Sequence, residues 1–125
     1  MPKRLTDEEI ARRSLLVISE EDWERTVLDL VHTFGYTAAG FRSARRLDGT
    51  WVTPVKGDGT GFPDWIFAKE DSPLIAVELK SDKGTLSPRQ IYWRKILCKV
   101  PGIIYVIWRP CDYEQIVEFL TRQKR

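Results

Sequence analysis

A chain of 125 residues, 42% apolar and 30% charged, suffices for one domain with a real core and is too short for two. Its net charge of +2 gives no overall basic character of the kind that announces nucleic acid. No apolar run approaches membrane-spanning length, no secretion-signal core opens the chain, and Cys98 and Cys111 lack metal-type spacing, so a reduced, cytoplasmic protein is expected.

Residues 1–18 read as a polar N-terminal arm. Within it Thr6 and Glu9 match a capping box, and residues 15–18 form a short apolar run. A single domain is expected over 19–125. Ser19 followed by Glu20, Glu21 and Asp22 is a helix-start signal. Trp23, Val27, Leu30, Val31 and Phe34 continue at helical spacing, and Gly35 ends the run. His32 has no partner at ligand spacing and reads as structural or exposed. Residues 36–43 and 51–55 read as strands joined by an Asp48-Gly49 turn. Arg42, Arg45 and Arg46 either grip phosphates or form a charged hairpin edge that blocks strand addition. Residues 56–61 carry three glycines, which permit unusual backbone angles and close approach of a ligand. No Lys-Ser/Thr follows, so this is not a Walker loop.

Residues 65–68 and 74–79 are two apolar runs of strand length with a hairpin-length loop between them. Ser87-Pro88-Arg89-Gln90 opens a helix, with Ser as cap, Pro at the first position and Gln three after the cap. Ile91, Trp93, Ile96, Leu97 and Val100 are expected on its core side, with Trp93 in the core rather than a base-stacking platform. Pro101-Gly102 stops it. Residues 103–108 read as a strand buried on both faces and reached by a parallel crossover. Asp112 caps a last helix whose apolar side is Tyr113, Ile116, Val117 and Leu120. The order is helix, four strands, helix, strand, helix: α/β with a mixed central sheet flanked by helices.

The chemistry gathers at Asp64, Glu78 and Lys80. Side chains alternate along a strand, so Glu78 and Lys80 point one way and Leu79 the other. If the two strands pair, Asp64 meets them at the sheet end. Two adjacent carboxylates are tolerable around a hard divalent cation, and Mg²⁺ takes oxygen ligands and retains waters. An ammonium beside it suits hydrolysis of a phosphodiester. From Lys80 to Lys99 six basic residues (Lys80, Lys83, Arg89, Arg94, Lys95, Lys99) face one acidic residue, Asp82, a local excess that suits DNA or a solvated helix equally.

Pro63-Asp64 followed by Glu78-Leu79-Lys80 resembles the PD-(D/E)XK nuclease superfamily. The sequence Gly57-Asp58-Gly59-Thr60-Gly61-Phe62 before it, and Gly84-Thr85-Leu86-Ser87-Pro88-Arg89-Gln90 after it, narrow the likeness to the VRR-NUC branch, the virus-type replication-repair nucleases, over about residues 20–121. The resemblance implies a restriction-endonuclease-like αβββαβ core and a Mg²⁺-dependent endonuclease, with Mn²⁺ able to substitute. It implies a bacterial or phage setting and branched DNA such as Holliday junctions, cut during replication, recombination or repair. Asp64 and Glu78 would bind metal, with the Leu79 carbonyl as a further ligand. Lys80 would position the attacking water. Gln90, which has a cap role of its own, would lie close to the metal site. Some relatives carry a Glu-Arg pair in the first helix. Glu24-Arg25 matches it, making Glu24 a further metal ligand, with Glu20 the alternative. Arg42, Arg45, Lys83 and Arg89 are the expected DNA contacts, and a homodimer would supply two sites for paired cuts. Residues 15–18, Trp51, Trp65 and Trp108 are candidates for its interface. A restriction-like, nicking or flap nuclease, or an inactive nucleic-acid-binding module, stays open as the alternative.

Overall fold

A computed structural model of the protein describes residues 6–9, 18–41, 44–45, 47–49, 51–52 and 55–123, with the backbone alone at 44–45 and 51–52. Helix α1 spans Glu20–Thr33. Strands β1 Thr37–Gly40, β2 Ala44–Arg45, β3 Trp51–Val52, β4 Trp65–Ala68 and β5 Leu74–Leu79 follow. Helix α2 is Pro88–Leu97, strand β6 is Ile103–Trp108, and helix α3 is Tyr113–Arg122 after one 3-10 turn at Pro110–Asp112. The main sheet has four strands in the order β1-β4-β5-β6, antiparallel except for the parallel β5–β6 pair. The class is mixed α/β. Among the described residues no helix is long and apolar enough to cross a membrane.

The local signals for α1 and α2 hold. Ser19 Oγ accepts from the Asp22 amide at 3.1 Å, and Gly35 takes φ +87° just past α1. Ser87 and Gln90 form a reciprocal capping box with Pro88 in the first turn of α2. Thr6 and Glu9 form another, in the N-terminal arm. His32 is exposed in the last turn of α1.

Four expectations change. Residues 36–43 are not one strand: β1 pairs with β4 and ends at Gly40, while β2 pairs with β3 in a separate two-stranded sheet around the Asp48-Gly49 turn. A side chain at Gly40 would collide with the Trp65 ring, 2.6 Å from a Cβ built there, so strand and ring pack as they do only over glycine. Strand β6 is the edge of the sheet, and Ile103 to Ile107 are half-buried rather than enclosed on both faces. Its apolar run is explained by packing on β5 and the helices, with no further strand among the described residues. On α2 only Leu97 is buried. Trp93 is half-buried, and Ile91, Ile96 and Val100 are exposed, because the helix leans on a narrow strip of the sheet. Asp112 precedes α3 without capping it: its carboxylate accepts the Arg109 amide at 3.1 Å.

The core lies on one face of the sheet. Trp23, Val27 and Val31 of α1 and Ile116 and Leu120 of α3 close over Phe67, Ile75, Val77, Leu79 and Trp108. Trp108 is buried in this cluster, and Trp65 packs partly buried against it. Residues 15–17 and the Trp51 side chain lie outside the described residues. Helix α2 covers the opposite face, and the site lies beneath its first turn.

Candidate active site

Register places the motif. Trp65 pairs with Val77, so Asp64 stands opposite the end of β5. Asp64 Oδ2 accepts the Leu79 amide at 3.0 Å, fixing the carboxylate to the backbone between Glu78 and Lys80. Val77 and Leu79 point into the core, so Glu78 projects to the α2 face. There it is 1% exposed, a polar group among the most deeply buried side chains. Burying a carboxyl is costly without compensation. Gln90 Nε2 donates to Glu78 Oε1 at 2.6 Å, and Lys80 Nζ lies 4.0 Å from the same oxygen, at the outer limit of an ion pair. The Gln90 amide makes two bonds: its oxygen accepts the Ser87 amide at 2.8 Å, the expected cap, while its nitrogen donates to Glu78. Lys80 keeps 20% of its side chain exposed, and its backbone amide donates to the Trp108 carbonyl at 3.1 Å.

The donor set is hard: two carboxylates and the backbone oxygen of Leu79 at one strand end. Mg²⁺ is commonly held by one or two carboxylates with waters completing its shell, so Asp64 and Glu78 fit it. Among the described residues no group of three or more His, Cys, Asp and Glu side chains gathers to hold a metal. Glu24 reaches this region through Trp65, whose Nε1 donates to its Oε2 at 2.9 Å. Trp65 is the residue after Asp64, so Glu24 buttresses the strand that carries the aspartate. Glu20 is exposed at the start of α1 and lines a small cleft with Ser81, Asp82 and Pro110.

The glycine loop packs against α2. Gly61 takes φ +85°, and a Cβ there would lie 2.5 Å from the Arg89 carbonyl carbon, so the close approach is to the first turn of α2 itself. Arg89 Nε and Nη2 donate to the carbonyls of Thr60 and Asp58 at 3.3 and 3.0 Å, and Trp93 Nε1 donates to Asp58 at 3.0 Å. Arg89 therefore clamps the loop, with its guanidinium 4.5 Å from the Tyr92 ring centre. Lys83 is exposed in the turn after Lys80. Arg42 and the Arg45 side chain lie outside the described residues.

Two residues escape the sequence reading. Tyr105 pairs with Ala76, two positions from the Glu78–Ile107 pair, and so shares Glu78's face. Burial, and then the Glu78 charge, push its phenol up to about 12, with Arg94 opposing. A lone polar tip within an apolar strand is the signal that could have marked it. Arg109 donates to Ser81 and Gly84, on the loop after Lys80, and nothing in its local sequence marks that contact. The chain matches no protein-family model, no curated protein and no solved structure.

Proposed function

We propose that the chain is a Mg²⁺-dependent DNA endonuclease with a restriction-endonuclease-like core, acting as a homodimer on branched DNA such as a four-way junction. The observation that carries this reading is Glu78: a carboxylate buried at the end of a strand, beside Asp64, Lys80 and Gln90. Such a group adds little to stability that an apolar residue would not better. It suits a site built to hold charge. The order α1, β1, β4, β5, α2, β6 agrees with an αβββαβ core into which the β2–β3 hairpin is inserted.

When bound, the cation supplies charge neutralisation at the phosphate and acidifies a water. Asp64 and Glu78 would hold it, with the Leu79 amide fixing one carboxylate and Gln90 the other. The Lys80 ammonium orients the attacking water and offsets the charge that develops at phosphorus. Lys83, in the turn after Lys80, and Arg94, Lys95 and Lys99, along α2 and just past its end, are exposed and offer phosphate contacts. Two opposed cuts in a junction need two such sites, which a twofold dimer provides.

The test is incubation of the purified protein with plasmid, linear duplex, flap and four-way junction, in Mg²⁺, Mn²⁺, Ca²⁺ or EDTA, with sedimentation in parallel. Cutting in Mg²⁺ and Mn²⁺, binding with little turnover in Ca²⁺, and none in EDTA are expected, with the junction preferred and a dimer at micromolar protein. Undiminished cutting in EDTA would overturn the mechanism. Cutting of linear duplex alone, by a monomer, would replace the junction reading with a general nuclease.

A further inference from the structure

The turn after Lys80 is held from one place. Arg109 follows β6, and its Nη1 donates to the Ser81 carbonyl at 2.6 Å and the Gly84 carbonyl at 2.7 Å. The turn is closed by the Gly84 amide on the Ser81 carbonyl at 3.2 Å. Asp82, inside it, accepts the Cys111 amide at 3.0 Å, so the turn is tied to the segment between β6 and α3 at three points.

Gly84 in turn lies along Lys80. A Cβ built on it would stand 3.4 Å from Lys80 Cδ and 3.1 Å from Ser81 Oγ. The Lys80 amide is bonded to the Trp108 carbonyl, the residue next to Arg109. The backbone of Lys80 is thus fixed by the end of β6, and its stem by the turn that Arg109 clamps. A lysine side chain has many rotamers, and an ammonium is a compact charge whose effect depends on where it is held. Satisfying two turn carbonyls is an ordinary task for arginine. Here the clamped turn packs on Lys80, whose ammonium approaches the buried Glu78.

We propose that Arg109 is a positioning residue for Lys80, clamping the Ser81–Gly84 turn so that Gly84 confines the lysine stem and holds the ammonium beside Glu78. The inference deepens the nuclease reading and rests on it for its catalytic consequence, while its structural half stands apart from any cleavage.

The experiment is a double-mutant cycle on the full chain, joined to NMR of the lysine side chains. Arg109→Ala should lower kcat about tenfold, as misplacement of a catalytic group does, and leave DNA affinity in Ca²⁺ unchanged. In the Lys80→Ala background Arg109→Ala should cost nothing further, because the group it positions is gone. Arg109→Lys, which can reach one of the two carbonyls, should recover part of the rate. The Lys80 side-chain signal should be distinct and rigid in the parent and move to the exposed-lysine average in Arg109→Ala. Arg109→Gln, which keeps a shorter donor but cannot bridge both carbonyls, should displace the same signal, and it decides the matter if Arg109→Ala does not fold. A Lys80 signal unmoved by both substitutions, or equal rate losses from Arg109→Ala with and without Lys80, overturns the proposal. If the parent cuts no DNA, the nuclease reading falls, and the NMR outcomes alone uphold or overturn the positioning role.

Discussion

The two faces of the sheet are made from the same strands and do different work. On one face Ile75, Val77 and Leu79 meet Phe67, Trp108, α1 and α3 in a continuous apolar cluster. On the other, Ala76 and Glu78 alternate along the same strand, Tyr105 stands beside them, and α2 contributes Leu97 as its one buried apolar residue. The first face supplies stability. The second holds a buried carboxylate that contributes little of its own, so it depends on the rigidity of the strands beneath it. Hydrogen bonds cross between the two: Trp108's carbonyl, at the end of β6, accepts both the Trp23 indole from α1 and the Lys80 amide at the site.

Substitutions should separate the faces. Phe67→Ala removes a ring with no exposed surface, set between Trp65 and Trp108, and should cost about 3–5 kcal/mol in urea unfolding. Ile96→Ala, on a residue 40% exposed on the outer side of α2, should stay within about 0.5 kcal/mol in the same assay. Equal losses at the two positions would break the contrast. Glu78→Gln should do the opposite of Phe67→Ala: cleavage should fall by at least ~10² while the unfolding midpoint holds or rises, since a neutral amide replaces a group that is costly to bury. A large loss of stability with activity retained would make Glu78 a structural residue.

A further effect is one of pH. Burial raises the Tyr105 phenol from 10 to about 12, with Glu78 adding to the shift. The folded chain therefore keeps that proton after the unfolded chain has lost it. Stability from this source is complete below pH about 10 and is lost as pH rises toward 12. Tyr36 and Cys111 are raised too, so Tyr105→Phe should shallow the alkaline decline in melting temperature without abolishing it. An unchanged decline would remove Tyr105 from the polar face.

Much of the frame was legible in the chain because it rests on contacts between near neighbours. Ser19 with Asp22, and Ser87 with Gln90, span three residues each, and the hairpin that brings Asp64 to Leu79 spans fifteen. Alternation along β5 then fixed Glu78 on the face opposite Val77 and Leu79. The sequence thus determined the starts of α1 and α2, the α/β order and the meeting of Asp64 with the Glu78–Lys80 strand end.

Other features depended on what lies across the sheet. Whether the apolar run at Ile103–Trp108 is a central or an edge strand turns on how many neighbours it finds, and its composition is compatible with either. The apolar residues of α2 have a helical period, yet the width of the strip they rest on decided that Leu97 is buried and Ile96 exposed. Gly61 and Arg89 needed each other's backbone, 28 positions apart, before either role could be assigned. Arg109 reaches Ser81 across the same number of positions. Short-range hydrogen bonds and strand alternation are written into residue order; long-range packing is decided when the layers close, because the partner of a side chain is then chosen by geometry and not by spacing.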